Sequence, residues 1–554
     1  MKRTRSLFHR VPGGHRTVAL LVLGILSWTT PAQVLPPPPA GPEPAKSLAA
    51  AARIFVRGYR FEGNKAFSDA ELAKVTEPFT QRELGTDGLE EARRAITFHY
   101  VRHGYVNSGA VIPDQDPAAG VILIRIVEGE LAAINIRSNK WVRDGYIRSR
   151  LERRSGPPLN MGELQEGLQL LRQNPNVGQV NAELSPGTVA GQGVLDVAVR
   201  DQHPFRVGLQ FDNQRPPTVG AEQISLLLAD LNLTGHSDPL HFRYGIANAD
   251  ADGLEFSGAN NLEGSYVFPL NRYETAIGVH GSRLNTSIIE DSFRSLDIES
   301  LTTSYGVFLR QPVYQTASQE IALSVGFDHR DNTTWLLDER FNVSPGAVDG
   351  QMIVSVLRLS QEWLRRGPNH VLALRSTFNL GLDVWDATDS KIPGEPNAEF
   401  FSWLGQAQYV RRLFNTQNQV ILRLSGQWTS ERLLALEQIS VGGYNTVRGY
   451  IENQLVRDTG LISSVEFRVP VLFDKSGAGM LHLAPFFDFG GGWNADDSPS
   501  PTTICSAGIG LLLTATRHFN AEIYWGHRFR EVEIPDNAGL QDYGVGIKVN
   551  INAF

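Results

Sequence analysis

The sequence predicts an exported chain made of two small α/β modules followed by a transmembrane antiparallel β-barrel of sixteen strands. Three observations lead there. The N-terminus reads basic and then apolar, as secretory signals do. One supersecondary order, β-α-α-β-β, is read twice in succession. From Phe205 onward helical periodicity disappears, and segments of about ten residues alternate apolar with polar side chains to the end of the chain.

Size and composition narrow the classes first. At 554 residues the chain is too long for one ordinary globular domain. A formal net charge of −8 gives no polybasic footprint for nucleic acid. The single cysteine, Cys505, can form neither an internal disulfide nor a cysteine metal cluster. A slightly negative mean hydropathy argues against a helical membrane protein.

Lys2, Arg3, Arg5, Arg10 and Arg16 form a basic region that precedes the apolar run Thr17 to Trp28, and Thr30-Pro31-Ala32 offers small residues for cleavage. Residues 1–32 therefore read as a signal peptide ending at Ala32–Gln33. A run of about twelve apolar residues is too short to span a bilayer as a helix, so membrane insertion must be by strands. Residues 33–52 hold Pro36 to Pro39, Pro42 and Pro44, and read as a stiff, extended linker.

The first module, 53–130, begins with a strand from Ile54-Phe55-Val56 to a turn at Glu62-Gly63-Asn64. Ser68-x-x-Glu71 is a capping-box pattern that opens a short helix with Leu72 and Val75 inward. Leu89, Ala92, Ile96 and Tyr100 mark a second helix that stops near Gly104, and Ser108 to Pro113 and Val121 to Val127 form a strand pair. The second module, 131–203, repeats the order: a strand at Leu131 to Ile136, helices at Asp144 to Arg153 and Met161 to Arg172, and strands at Val180 to Leu184 and Val194 to Val199. A single larger α/β domain would hold the same elements; the matched order favours an internal repeat.

In the barrel, 204–554, Leu240, Phe242, Tyr244 and Ile246 interleave with His241 and Arg243. Leu422 and Leu424 interleave with Arg423 and Ser425, and Val465, Phe467 and Val469 with Ser464, Glu466 and Arg468. A soluble sandwich alternates too, but Arg- and Glu-rich polar sets suit a wet barrel interior whose apolar face meets lipid. Seven of the nine tryptophans lie between Trp335 and Trp525, as an interfacial girdle requires. The chain closes on a strand through Tyr543, Val545, Ile547, Val549 and Ile551, with Phe554 one residue out of phase.

One connection is anomalous. Between strands at Gln419 to Trp428 and Leu461 to Val469 the chain runs past thirty residues, through Val441-Gly442-Gly443-Tyr444-Asn445-Thr446-Val447-Arg448-Gly449-Tyr450. Further on, Phe486-Phe487-Asp488-Phe489-Gly490 sets a carboxylate in an aromatic strand, where an unpaired buried charge is costly. Taken alone, Arg448 reads equally as a solvated loop cation and Asp488 as an ordinary lumen-facing acid. No catalytic signature is found: no His-Glu-x-x-His, Gly-x-Ser-x-Gly, phosphate loop or dinucleotide fingerprint. His329 and Asp331 read as a loop ion pair at a strand end.

With its export signal, two modules and terminal barrel, the chain resembles the two-partner secretion outer-membrane transporters (the TpsB family) of the POTRA-plus-barrel superfamily. Val447-Arg448-Gly449-Tyr450, between strands eleven and twelve, matches the family's loop-tip motif. Phe486, Asp488 and Gly490, in strand thirteen, match its Phe-x-Asp-x-Gly barrel-wall motif. The resemblance implies that 53–130 and 131–203 are periplasmic POTRA modules of the ShlB/FhaC/HecB type. They would bind the N-terminal secretion domain of an unfolded partner exoprotein (an adhesin, cytolysin or haem-acquisition protein) by strand addition. The barrel, in outer-membrane lipid, would then conduct it outward. Arg448 would pair with Asp488 inside the lumen, and cargo folding outside, not a nucleotide, would drive transport. No cofactor, metal, nucleic acid or enzymatic step is implied. Some members carry an N-terminal plug helix; here only Ala45 to Arg53 could form a helical turn or two. An assembly or insertion factor of the same superfamily and a general porin are the alternatives.

Overall fold

The computed structural model describes residues 53–115, 120–249, 255–290, 293–413, 416–535 and 539–553. The signal peptide expected at 1–32, the linker at 33–52, any plug helix within it and Phe554 lie outside them.

In the first α/β unit, Gly58–Glu62, Gly109–Val111 and Val121–Val127 make a three-stranded sheet. Val121–Val127 is central, parallel to the first and antiparallel to the second. Helices Asp69–Thr76 and Thr86–Arg102 bury Leu72, Ile96 and Tyr100 against Phe61, Ile124 and Ile126. The expected capping box forms: Ser68 accepts from the Glu71 amide, and the Glu71 carboxylate accepts from the Ser68 amide at 3.0 Å. The expected first strand is in fact two. Ile54–Val56 pairs with Arg82–Leu84 in a separate ribbon, because Val56 and Leu84 pack together against Ile122.

The second unit has the same topology. Gln192–Asp201 is central, parallel to Glu130–Arg137 and antiparallel to Val177–Pro186. Helices Asp144–Arg154 and Met161–Gln173 cover the sheet through Ile147, Leu151, Leu164 and Leu171.

The repeat extends to individual hydrogen bonds. Asn64 Nδ2 donates to the Phe67 carbonyl (3.0 Å) and Asp69 Oδ1 (2.7 Å). Asn139 Nδ2 donates to the Val142 carbonyl (2.7 Å) and Asp144 Oδ1 (2.7 Å). Glu128, just past the central strand of the first unit, accepts from the Lys65 (2.6 Å) and Ala66 (2.7 Å) amides. Asp201 accepts likewise from Lys140 (2.8 Å), Trp141 and Val142 (2.9 Å). An Asn-Lys-x-apolar-x-Asp turn and a distant carboxylate thus clamp the entry to the first helix of each unit. Tyr100 also donates to Glu128 at 3.0 Å, and burial beside that carboxylate pushes the phenol well above its ordinary pKa.

The remaining chain closes a barrel of sixteen strands, each antiparallel to its neighbours. In chain order they are Phe205–Asp212, Gln223–Asp230, Leu240–Ala247, Asn260–Pro269, Ala276–Ser287, Ile298–Gln315, Gln319–Leu336, Gln351–Arg366, His370–Leu382, Phe401–Arg412, Gln419–Trp428, Thr459–Phe473, Gly479–Trp493, Thr503–Thr516, Phe519–Arg528 and Val545–Asn552. The last pairs with the first, Lys548 to Asn552 against Asp212 to Gly208. A two-residue strand, Glu339–Arg340, only folds back antiparallel on the end of the seventh. Tyr543 does not start the last strand; it lies in the turn before it.

The alternation resolves as a lipid-facing barrel. Phe242, Leu424, Phe467 and Val469 are exposed on the outside, whereas Ser464 and Glu466 are buried within. Among the described residues no helix is long and apolar enough to cross a membrane. Short turns face the α/β units, and the long connections, 337–350, 383–400, 429–458 and 529–544, lie at the far end. His329 and Asp331 are not a loop pair. Both lie within the seventh strand, where His329 Nδ1 meets Ser355 Oγ at 2.9 Å under the Trp385 ring and Asp331 accepts from Gln351 at 2.8 Å.

The second unit docks on the near turns. Arg150 forks onto Glu274 at 2.6 and 3.1 Å, Asn232 donates to the Trp141 carbonyl at 2.8 Å, and Gln173 donates to the Ala317 carbonyl at 2.6 Å.

Asp201→Ala leaves three turn amides without their acceptor and is expected to destabilise the second unit by about 2–3 kcal/mol. Limited proteolysis of the full-length chain checks this: cleavage within 131–203 should accelerate while the barrel stays resistant, and unchanged protection would refute the clamp.

Candidate functional site

The long connection 429–458 turns into the barrel. It makes a 3₁₀ turn at Ala435–Glu437 and a ribbon of Ile439–Val441 with Leu455–Arg457, and it carries residues 442–454 at its tip. Ile439, Val441, Val447, Tyr450 and Leu455 cluster with Ile462 and Ile504 of the wall. A solvated loop has no reason to hold such a cluster; this one gains its burial from the barrel's inner face. Gly449 has a φ of 93°, and a Cβ there would come 2.7 Å from the Gly526 carbonyl oxygen of the fifteenth strand. Both the conformation and the close approach require glycine.

This approach brings Arg448 and Asp488 together. Arg448 is 5% exposed and Asp488 fully buried. The guanidinium forks onto the carboxylate, Nε to Oδ2 and Nη2 to Oδ1, each at 2.8 Å, and the Arg448 amide also donates to Oδ2 at 3.0 Å. Nη1 donates to Glu466, and Nη2 also reaches Ser464 Oγ at 3.1 Å. Glu466 is further held by Arg468 at 2.7 Å and by the Tyr524 hydroxyl at 3.3 Å. The Arg448 Cζ also lies 3.7 Å from the Phe486 ring centre and 4.7 Å from that of Tyr524, two rings that meet edge to face beside the fork.

The period of two in the thirteenth strand explains the spacing Phe-x-Asp-x-Gly. Phe486, Asp488 and Gly490 all face the lumen, while Phe487 faces outward, 48% exposed. Phe486 supplies the aromatic floor and Asp488 the fork. At Gly490 a Cβ would stand 2.3 Å from Val441 and 2.7 Å from Val447, so only glycine lets the tip seat. Val447 is fully buried against that glycine. Tyr450 donates to the Cys505 carbonyl at 3.0 Å and accepts from the Arg530 amide at 3.2 Å. All seven residues singled out from the sequence therefore lie in or against one seat.

Sequence reasoning missed the partners. Ser464 stands opposite Asp488, and Glu466 opposite Phe486, across the pairing of the twelfth and thirteenth strands. Their alternation was visible; that register was not. Tyr444 was also missed: its hydroxyl donates to Glu522 at 2.5 Å and its ring meets Tyr524 edge-on. Glu452, from the same tip, accepts from the Tyr444 amide at 2.6 Å, and its own amide donates to Gln541 at 3.0 Å. Among the described residues no group of three or more His, Cys, Asp or Glu side chains is placed to hold a metal. Beside the tip, the open part of the lumen is lined by Arg310, Glu320, Glu362, Arg423, Asn445 and Thr446.

The family model of the haemolysin secretion/activation protein ShlB/FhaC/HecB matches residues 191–513, and that of the ShlB-type POTRA domain matches residues 54–129. The outer membrane transporter CdiB of Dickeya dadantii (strain 3937) is 25% identical over 407 residues, covering 72% of this chain and 69% of the relative. The heme/hemopexin transporter protein HuxB of Haemophilus influenzae (strain 86-028NP) is 24% identical over 442 residues, covering 76% and 73%. Two solved structures share the fold. CdiB from Escherichia coli has a TM-score of 0.68 at 21% identity, covering 94% of this chain and 93% of that one. BamA from Haemophilus ducreyi lacking POTRA domains 1-3 has a TM-score of 0.51 at 13% identity, covering 90% and 100%. With more than half of its length matched by the family model, the chain belongs to the ShlB/FhaC/HecB family: it is an outer-membrane transporter of two-partner secretion whose POTRA domain lies in the periplasm.

Proposed function

We propose that this transporter takes an unfolded exoprotein from the periplasm in extended form and passes it through the barrel, and that the connection 429–458 closes the lumen until cargo displaces it. The cargo is an adhesin, cytolysin or haem-acquisition protein with an N-terminal secretion domain. Residues 131–203 serve as a second POTRA; in support, they share the sheet order and the Asn-Lys turn clamp of 54–129. Both sheets keep an edge strand, Gly109–Val111 in the first and Val177–Pro186 in the second, to which an extended peptide can add. No cofactor, nucleotide or catalytic step enters this reading.

The observation that carries it is the Arg448 fork on Asp488. A buried guanidinium balanced by two carboxylates adds little net stability, but removing one partner leaves a charge stranded. Such a pair fixes a position more than it strengthens a fold. Arg448 and its Val447-Gly449-Tyr450 neighbours hold the tip; Phe486, Asp488 and Gly490 form its socket. Deleting 53–203 separates the readings: export of the partner should stop while pore conductance survives. Unimpaired export would sink the transporter mechanism, and loss of other outer-membrane barrels would favour an assembly factor.

Arg448→Ala and Asp488→Ala are each expected to lower export about tenfold or more, since a stranded buried charge costs on the order of 3–5 kcal/mol. Folded barrel, measured by heat-modifiable gel migration, should stay at wild-type level. A reciprocal swap is not expected to restore export, because Asp at 448 would face Glu466. Arg448→Lys, which keeps the charge but loses the fork, should fall between wild type and Arg448→Ala. Export at wild-type level in all these variants would show that the pair is ordinary lumen chemistry.

Gly490→Val tests the seat without touching a charge. Its side chain overlaps Val441 and Val447, so protease cleavage within 442–454 should rise in otherwise folded barrels. A tip as protected as the wild type would overturn the seating geometry.

A further inference from the structure

One arc of the barrel wall breaks the rule of a wet lumen. Met352, Val354, Val356 and Arg358 share one face of the eighth strand through its period of two. Arg358 points inward: its Nη2 reaches Glu437 of the connection at 2.9 and 3.1 Å, and its Nε reaches Asp328 at 2.5 Å. The three apolar residues therefore point inward as well, and they are 5%, 0% and 0% exposed. An apolar stripe on the inner wall of a water-filled barrel calls for a cover in the closed state. The cover is Leu433 and Leu434, joined by Ala398 and Phe400 of the neighbouring long connection.

Glu437 ends the same stretch. Besides Arg358, it lies 3.3 Å from Arg330 Nη1, which also donates to the Leu436 carbonyl at 2.8 Å. The polarity is opposite to that at the tip. There the loop supplies the guanidinium and the wall the carboxylates; here the loop supplies the carboxylate and the seventh and eighth strands the guanidiniums. The two sets of side-chain partners share no residue.

We propose that residues 433–437 are a second anchorage of the connection, with Glu437 its positioning residue, independent of Arg448. This rests on the reading that the connection closes the pore. Two anchors on separate arcs of the wall fix the loop against both tilting and sliding, so losing either one loosens closure and losing both releases it.

Full-length protein in planar lipid bilayers tests this with Glu437→Gln, Glu437→Asp, Arg448→Ala and the Glu437→Gln/Arg448→Ala double variant. Glu437→Gln is expected to raise the open fraction about tenfold. Glu437→Asp, which keeps the charge, should stay close to wild type, a rescue that a purely steric role would not give. The double variant should multiply the two single effects, as independent sites do. A quiet Glu437→Gln channel beside an open Arg448→Ala channel overturns the second anchorage and leaves the closure reading intact. Two quiet single variants defeat the closure reading and this proposal with it. If Glu437→Gln does not assemble, Arg330→Gln replaces it: openings above wild type support the anchorage, and wild-type closure overturns it.

Discussion

A closed barrel of sixteen strands encloses more space than its own side chains can fill, so its lumen must hold water, ions or another part of the chain. Here a connection between the eleventh and twelfth strands enters that space, and the surroundings of its tip are arranged to hold one buried guanidinium. Desolvating Arg448 would be costly in isolation. It is offset by a two-oxygen fork, a second carboxylate, a hydroxyl and two aromatic faces. Glu466 is shared in turn with Arg468 and, at 3.8 Å, with Arg423, so neither carboxylate of the seat is left without a cation.

The wall accommodates this by subtraction as much as by contact. Where the tip comes closest to the wall, two inward positions of the last strands are glycines. Gly490 makes room for Val441 and Val447, and Gly526 lets the Gly449 backbone approach. A side chain at either place would keep the tip away from Asp488 whatever its charge. The two motifs are thus one object: the loop supplies the fork and the thin backbone, and the strand supplies the floor, the acceptor and the gap.

How much of this was legible follows from which signals are local. Period-two alternation identified the faces, so the barrel, its strand count and the lumen placement of Asp488 could be read directly. The Ser68 capping box and the helix spacing did the same for the α/β units. Pairing register is not local, so Ser464 and Glu466 could be seen as polar but not as partners of Arg448. Glu437 and Arg358 were invisible for the same reason, being separated by three intervening barrel strands and their connections. Two misreadings were failures of context. Ile54 to Glu62 looks like one strand because nothing in it marks that Val56 belongs to a different sheet from Phe61. His329 looks like a loop residue because the Trp385 that covers it lies in another connection. The Asn-Lys-x-apolar-x-Asp repeat at 64–69 and 139–144, by contrast, was present in the sequence and overlooked.

If the connection gates the pore as proposed, ion pairs suit it better than a larger apolar plug would. Exposing buried apolar area to a wet lumen costs about 25 cal/mol per Å², with nothing to replace the lost contact. A guanidinium and a carboxylate that part company can each take up water, or the charged and amide groups of a passing chain, in exchange. The net difference between closed and open is then small, while the closed geometry stays specific because the fork accepts only one alignment. Apolar contacts are kept where the loop meets the rim and the ribbon, at Leu433, Leu434, Ile439 and Val441, and the charged contacts sit at Glu437 and Arg448. The loop's burial makes it stay folded; its ion pairs decide where it stands.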